Sequence, residues 1–119
     1  MNREILQSAG IDYDQGVARL LGDDELYAMI LSTFPDDRTF AEAEAAYAAR
    51  DYPKLFRAAH SLKGVCGNLD ITALFTAASE LTELVRDNPA PDEARVAALF
   101  TGMRAAYDRA CEGIRKAAE

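Results

Sequence analysis

Apolar residues recur along this chain in steps of three and four, broken by short polar or proline-containing stretches, and no segment shows the alternation of a half-buried strand. Asp12, with Gln15 three residues on, predicts an N-cap and capping-box partner for a short helix over about 12–21 that Gly22 ends. Asp23 then caps a helix over about 23–34, with Leu26, Ile30 and Phe34 on one face and Pro35 as its stop. An alanine-rich segment over about 37–50 places Phe40, Ala43 and Tyr47 at helical spacing. Asp51-Tyr52-Pro53 reads as a break, with Pro53 in the first turn of the next helix, about 53–69, whose seam is Leu55, Ala59, Leu62, Cys66 and Leu69. Asp70 is expected to cap a helix over about 71–88 with Ile71, Leu74, Ala78, Leu81 and Val85 inward. The loop Asn88-Pro89-Ala90-Pro91 precedes a long last helix, about 92–116, with Val96, Leu99, Met103, Tyr107, Ala110 and Ile114 on its seam.

Long amphipathic helices joined by short loops predict an all-α fold. The expected architecture is an antiparallel up-down-up-down four-helix bundle, with an additional short N-terminal helix across one end. A chain of 119 residues suits a single domain spanning 1–119, and 50% hydrophobic with 28% charged residues is a globular composition. Phosphate-backbone binding needs clustered Lys and Arg, so a formal charge of −7 with no basic stripe excludes a nucleic-acid partner. No apolar run approaches the roughly 18 residues of a spanning helix, and Met1-Asn2-Arg3-Glu4 does not open a signal-peptide pattern. A cytoplasmic protein without membrane association is expected, and Met1 suggests a stand-alone chain. Cys66 and Cys111 belong to no CxxC or Cys/His cluster and are expected to be reduced, structural thiols, although spacing alone leaves a disulfide open. The acidic clusters Asp23-Asp24-Glu25 and Asp36-Asp37 each fall at a helix start, where carboxylates favour the macrodipole, so no metal site is expected.

The only histidine, His60, lies in the run Ala58-Ala59-His60-Ser61-Leu62-Lys63-Gly64-Val65-Cys66-Gly67-Asn68-Leu69. At about 100° per residue the seam lies about 100–180° away, so the imidazole faces outward. On the same face stand Phe56 (about −40°), Lys63 (about −60°), Gly67 (about −20°), Gly64 (about +40°) and Arg57 (about +60°). Glycine inside a helix costs about 1 kcal/mol relative to alanine, so two on the histidine face point to close approach by something large. An alternative for Gly67 is the start of the helix C-terminus. An unprotonated imidazole keeps a lone pair for attack on phosphorus. Lys63 would contact the transferring oxygens, Arg57 adds charge from the other flank, and Phe56 offers an apolar docking point.

The run His60-Ser61-Leu62-Lys63-Gly64 closely resembles the His-x-Leu-Lys-Gly hallmark of the histidine-containing phosphotransfer (HPt) domain family. The likeness extends through Gly67-Asn68-Leu69, Leu74 and Leu81, and back to Gly10-Ile11-Asp12 and Gly22-Asp23-Asp24-Glu25-Leu26-Tyr27, covering nearly all of the chain. It implies that His60 accepts a phosphoryl group from a receiver-domain aspartate and passes it to another receiver aspartate. Lys63 would stabilise the phosphoryl group electrostatically and Gly64 would leave the imidazole reachable, with Phe56, Arg57 and Gly67 in the partner contact. Implied partners are response-regulator receiver domains and a hybrid sensor histidine kinase. The chain itself would need no cofactor, the Mg²⁺ being held by the receiver. Two positions depart from the family: Asp70, where glycine is common, and Thr82, where an acidic residue is frequent; both are read as cap or surface changes. A stoichiometric, monomeric phosphocarrier without kinase activity is expected, since no Walker-type loop, second histidine or room for an ATP-binding domain is present. The alternative is an adaptor that binds a receiver without transfer; a histidine hydrolase would need an orienting acid, and none stands beside His60 on its helix.

Overall fold

Side-chain caps set most of the helix starts. The computed structural model describes all 119 residues. It holds seven α-helices and no strand: α1 (Arg3–Ser8), α2 (Tyr13–Arg19), α3 (Asp24–Ser32), α4 (Thr39–Ala48), α5 (Tyr52–Leu69), α6 (Thr72–Val85) and α7 (Glu93–Ala117), with a 3-10 turn at Phe34–Asp36. Asn2, Asp12, Asp23, Asp51 and Asp92 each accept a backbone N–H from the following first turn, satisfying one of the amides left open there. Asp24 and Glu25 fill the first turn of α3, and Asp37 accepts from the Thr39 N–H at 2.8 Å. The acidic clusters are therefore helix-start chemistry.

Helices α4 to α7 form a helical bundle in which α5 packs on α4 and α6, and α6 on α7. The remaining side is closed by aromatics: Phe40 stacks on Tyr107 at 4.0 Å and Tyr47 on Phe100 at 4.3 Å, outside which Arg104 pairs with Glu44 at 2.5 Å. Leu55, Leu62, Leu74 and Leu81 are fully buried between them, each contributing about 1.5–3 kcal/mol of transfer free energy. The N-terminal helices join the same core through Leu6, Ile11 and Tyr27. Asn2 donates to the Ala117 carbonyl at 3.0 Å and Arg109 to that of Ser8, laying α1 along α7.

Several local expectations shift. Helix α1 lies ahead of the predicted first helix; at six residues it is too short to show a period. Helix α2 stops at Arg19 because Leu21 and Gly22 turn left-handed, at φ 59° and 86°. The 3-10 turn around Pro35 delays α4 to Thr39. Helix α6 ends at Val85, three residues early, before an extended Arg86 and a left-handed Asp87. In α3 the inward face is Tyr27 and Leu31, continued by Phe34 of the 3-10 turn, with Leu26 and Ile30 half-buried, a rotation that lets the Tyr27 hydroxyl donate to the Leu69 carbonyl at 2.5 Å. On α7, Phe100 and Cys111 are buried and Leu99 only half so.

Asp70 and Thr82, read as cap or surface changes, are both buried; Asp70 is a cap, but of α5 rather than α6. Asp70 is the left-handed C-cap of α5, with φ 57°, and does not cap α6, whose N-cap Ile71 makes no side-chain cap bond. Its carboxylate is 6% exposed and takes two bonds at 3.0 Å from the Arg19 guanidinium. The pair raises the Arg19 value further and ties α2 to the α5–α6 corner. Thr82 is fully buried and its hydroxyl donates to the Ala78 carbonyl at 2.6 Å, so a carboxylate there would lose its solvation.

Candidate functional site

The helix that carries His60 sorts its residues by face. Leu55, Ala58, Ala59, Leu62 and Cys66 are buried against the bundle, which leaves His60 exposed on the far side. Asp51 and Pro53 start α5 and Asp70 ends it, so His60 sits mid-helix on a rigid element with its backbone amide and carbonyl committed to the helix. No ion pair involves His60.

Around the imidazole the structure gathers a short row of aromatics and cations. The Phe56 ring is near-parallel to the imidazole, 12° between planes and 5.8 Å between centroids. Lys63 is half-buried, its ammonium 5.9 Å from the centroid of the Phe75 ring on α6. The Arg86 guanidinium, just past α6, lies 5.0 Å from the centroid of Phe56. Cation–π contacts of this kind contribute about 0.5–1 kcal/mol at exposed sites, enough to park a flexible side chain. The structure thus brings Phe56 to His60 and lays the Lys63 ammonium over Phe75.

The two glycines differ. A Cβ built on Gly64 meets nothing within 4 Å, so this position is open to whatever approaches the imidazole. A Cβ on Gly67 comes to 3.3 Å from Phe75, and Gly67 stands in the last turn of α5, which ends at Leu69, as the helix C-terminus reading expects. Its small size fits the Phe75 ring against α5. Arg57 is exposed and in no ion pair. It stands beside Phe56 on an open depression lined also by Pro53, Val85, Asn88 and Pro89.

Phe75 and Arg86 were not singled out by the sequence. Phe75 carried one signal, a large aromatic one position off the α6 seam with a half-buried environment; Arg86 carried none. Both reach the site only because α6 packs on α5.

No group of three or more His, Cys, Asp or Glu side chains is placed to hold a metal ion. Both cysteines are unpaired and buried; burial pushes the Cys66 thiol up to about 12 and raises that of Cys111, which keeps them protonated and poorly nucleophilic. No helix is long and apolar enough to cross a membrane.

Among known proteins, no curated sequence and no solved structure matches the chain. The Hpt domain family model does match, over residues 25–114, from the first turn of α3 to near the end of α7 and thus across α5 and its histidine. Hpt domains are helical bundles that act as phosphocarriers with receiver domains and kinases of two-component systems, and on this match over most of its length the chain belongs to the Hpt domain family.

Proposed function

We propose that the protein is a phosphorelay intermediate in which His60 is the phosphoacceptor. The observation that carries this reading is the exposed imidazole with an open Gly64 beside it, on a rigid helix of a chain that belongs to the Hpt family. The unprotonated ring nitrogen attacks the phosphorus of a receiver's aspartyl phosphate. The N–P bond forms as the P–O bond to the aspartyl oxygen breaks, and that electron pair returns to the carboxylate. The reverse step hands the group to the carboxylate of a second receiver, with the pair of the N–P bond returning to the imidazole.

Lys63, one helical turn from His60, stabilises the developing phosphoryl charge. Gly64 admits the receiver, while Phe56, Arg57 and Gly67 form the docking rim. The Mg²⁺ that the transfer requires is assigned to the receiver. The upstream source is a hybrid sensor histidine kinase, and the chain itself turns over nothing. We further read the bundle as antiparallel, up-down-up-down, with the N-terminal helices packed at one end, and the protein as a cytoplasmic monomer.

The test is to mix the protein with an aspartyl-phosphorylated receiver and Mg²⁺ and to look by intact mass and site mapping for an acid-labile phosphoryl adduct. An adduct on His60 that is absent from a folded His60→Gln variant is the expected result. Saturable receiver binding without any adduct would instead identify a non-transferring adaptor.

A further inference from the structure

The residue just past α6 reaches towards the imidazole through one ring. Arg86 lies over Phe56, with 5.0 Å from guanidinium carbon to centroid, and Phe56 is laid near-parallel to His60. Arg86 is itself held: its Nε and Nη2 both donate to Glu83 Oε1, at 3.3 and 3.1 Å. The backbone at Arg86 is extended, φ −63° and ψ 120°, where the chain leaves α6.

Phe56 is only half-buried and borders the open depression towards Val85, Asn88 and Pro89. A phenyl ring with free space on one side samples more than one rotamer unless a contact selects among them. The imidazole is exposed and in no ion pair, so the ring of Phe56, one turn earlier on the same helix, is the neighbour that bears on its orientation. The residue that fixes the ring therefore fixes the imidazole.

We propose that Arg86, oriented by Glu83, is a positioning residue that sets the His60 imidazole by holding Phe56 against it. The proposal rests on the reading of His60 as phosphoacceptor for its consequence and on the ring geometry alone for its mechanism. Arg86 touches no reacting atom in this scheme. An ordered imidazole presents its nitrogen lone pair in one direction, which shortens the search for an in-line approach to phosphorus.

Because His60 is the only histidine, its ring signals in an aromatic proton–carbon spectrum are unambiguous, and their ring-current shift reports the Phe56 stack. Phe56→Leu defines the positions with the stack removed. Arg86→Ala is expected to move the His60 signals at least halfway towards them, Glu83→Gln less far, and Arg86→Lys to keep part of the shift. Phosphorylation of His60 by phosphoramidate, a donor too small to need docking, is expected to slow in Arg86→Ala by about two- to fivefold. His60 signals left at their original positions in Arg86→Ala, or shifted signals with an unchanged rate, would overturn the proposal. If the unaltered protein takes no phosphoryl group from either phosphoramidate or a receiver, the phosphoacceptor reading fails by itself, and the spectra still decide whether Arg86 places the ring.

Discussion

Replacing Gly64 separates the stability of the helix from its accessibility. A Cβ added there meets no atom within 4 Å, so Gly64→Ala changes little besides helix propensity and stabilises the protein by about 0.8–1 kcal/mol. For a chain of this size that raises the thermal midpoint by about 3–6 °C. Gly67→Ala gains less or nothing, because its Cβ stands 3.3 Å from the Phe75 ring and the ring must give way. The functional arm runs the other way. Position 64 lies about 40° round the helix from His60, and a leucine there stands in the path of a docking receiver. Overpacking of an interface by about 1–3 kcal/mol slows receiver transfer by about tenfold or more in Gly64→Leu, while phosphorylation by phosphoramidate stays near its original rate. Thermal unfolding by circular dichroism and transfer from a phosphorylated receiver read the two effects on the same samples. A destabilised Gly64→Ala would refute the open space, and normal receiver transfer by Gly64→Leu would refute the role assigned to that space.

Lys63→Ala is expected to slow phosphoryl acceptance by about five- to tenfold, the worth of one charge-assisted contact of about 1–1.5 kcal/mol; an unchanged rate would remove Lys63 from the chemistry. Asp70→Gly gives up the Arg19 pair, discounted to about 1 kcal/mol or less because Arg19 is half-exposed, yet relaxes a left-handed backbone. Asp70→Ala keeps that strain and is expected to be about 1–2 kcal/mol less stable than Asp70→Gly in urea unfolding; equal costs would refute the backbone argument. Burial lifts Cys66 to about 12 from 9.0 and Tyr107 to about 12 from 10.0. The folded protein thus holds protons that the unfolded chain has already lost, so stability is intact below about pH 9 and falls from there to about pH 12. Cys66→Ala should lessen the fall at its lower end, and denaturant unfolding that stays flat across this window would contradict the burial effect.

The sequence by itself determined helices α2 to α7, the caps of α2 and α3 and the outward direction of His60. These follow from hydrogen bonds and a period that lie within a few residues of one another. Asp12 and Asp23 announce α2 and α3 in this way, and the α6 seam from Ile71 to Val85 is buried as its spacing predicts. The short α1 carried no period, and α3 turned its inward face by one residue to place Tyr27 at the Leu69 carbonyl. Asp70 illustrates the boundary: its residue type suggested a cap, but its bond to Arg19 spans 51 positions along the chain. Only the tertiary structure decided what surrounds the imidazole. Phe75 stands on α6 and Arg86 just past its end, and no local rule relates their positions to His60. Which side chain of α6 meets which turn of α5 is set by how two apolar seams interlock, a property of both helices and the core between them.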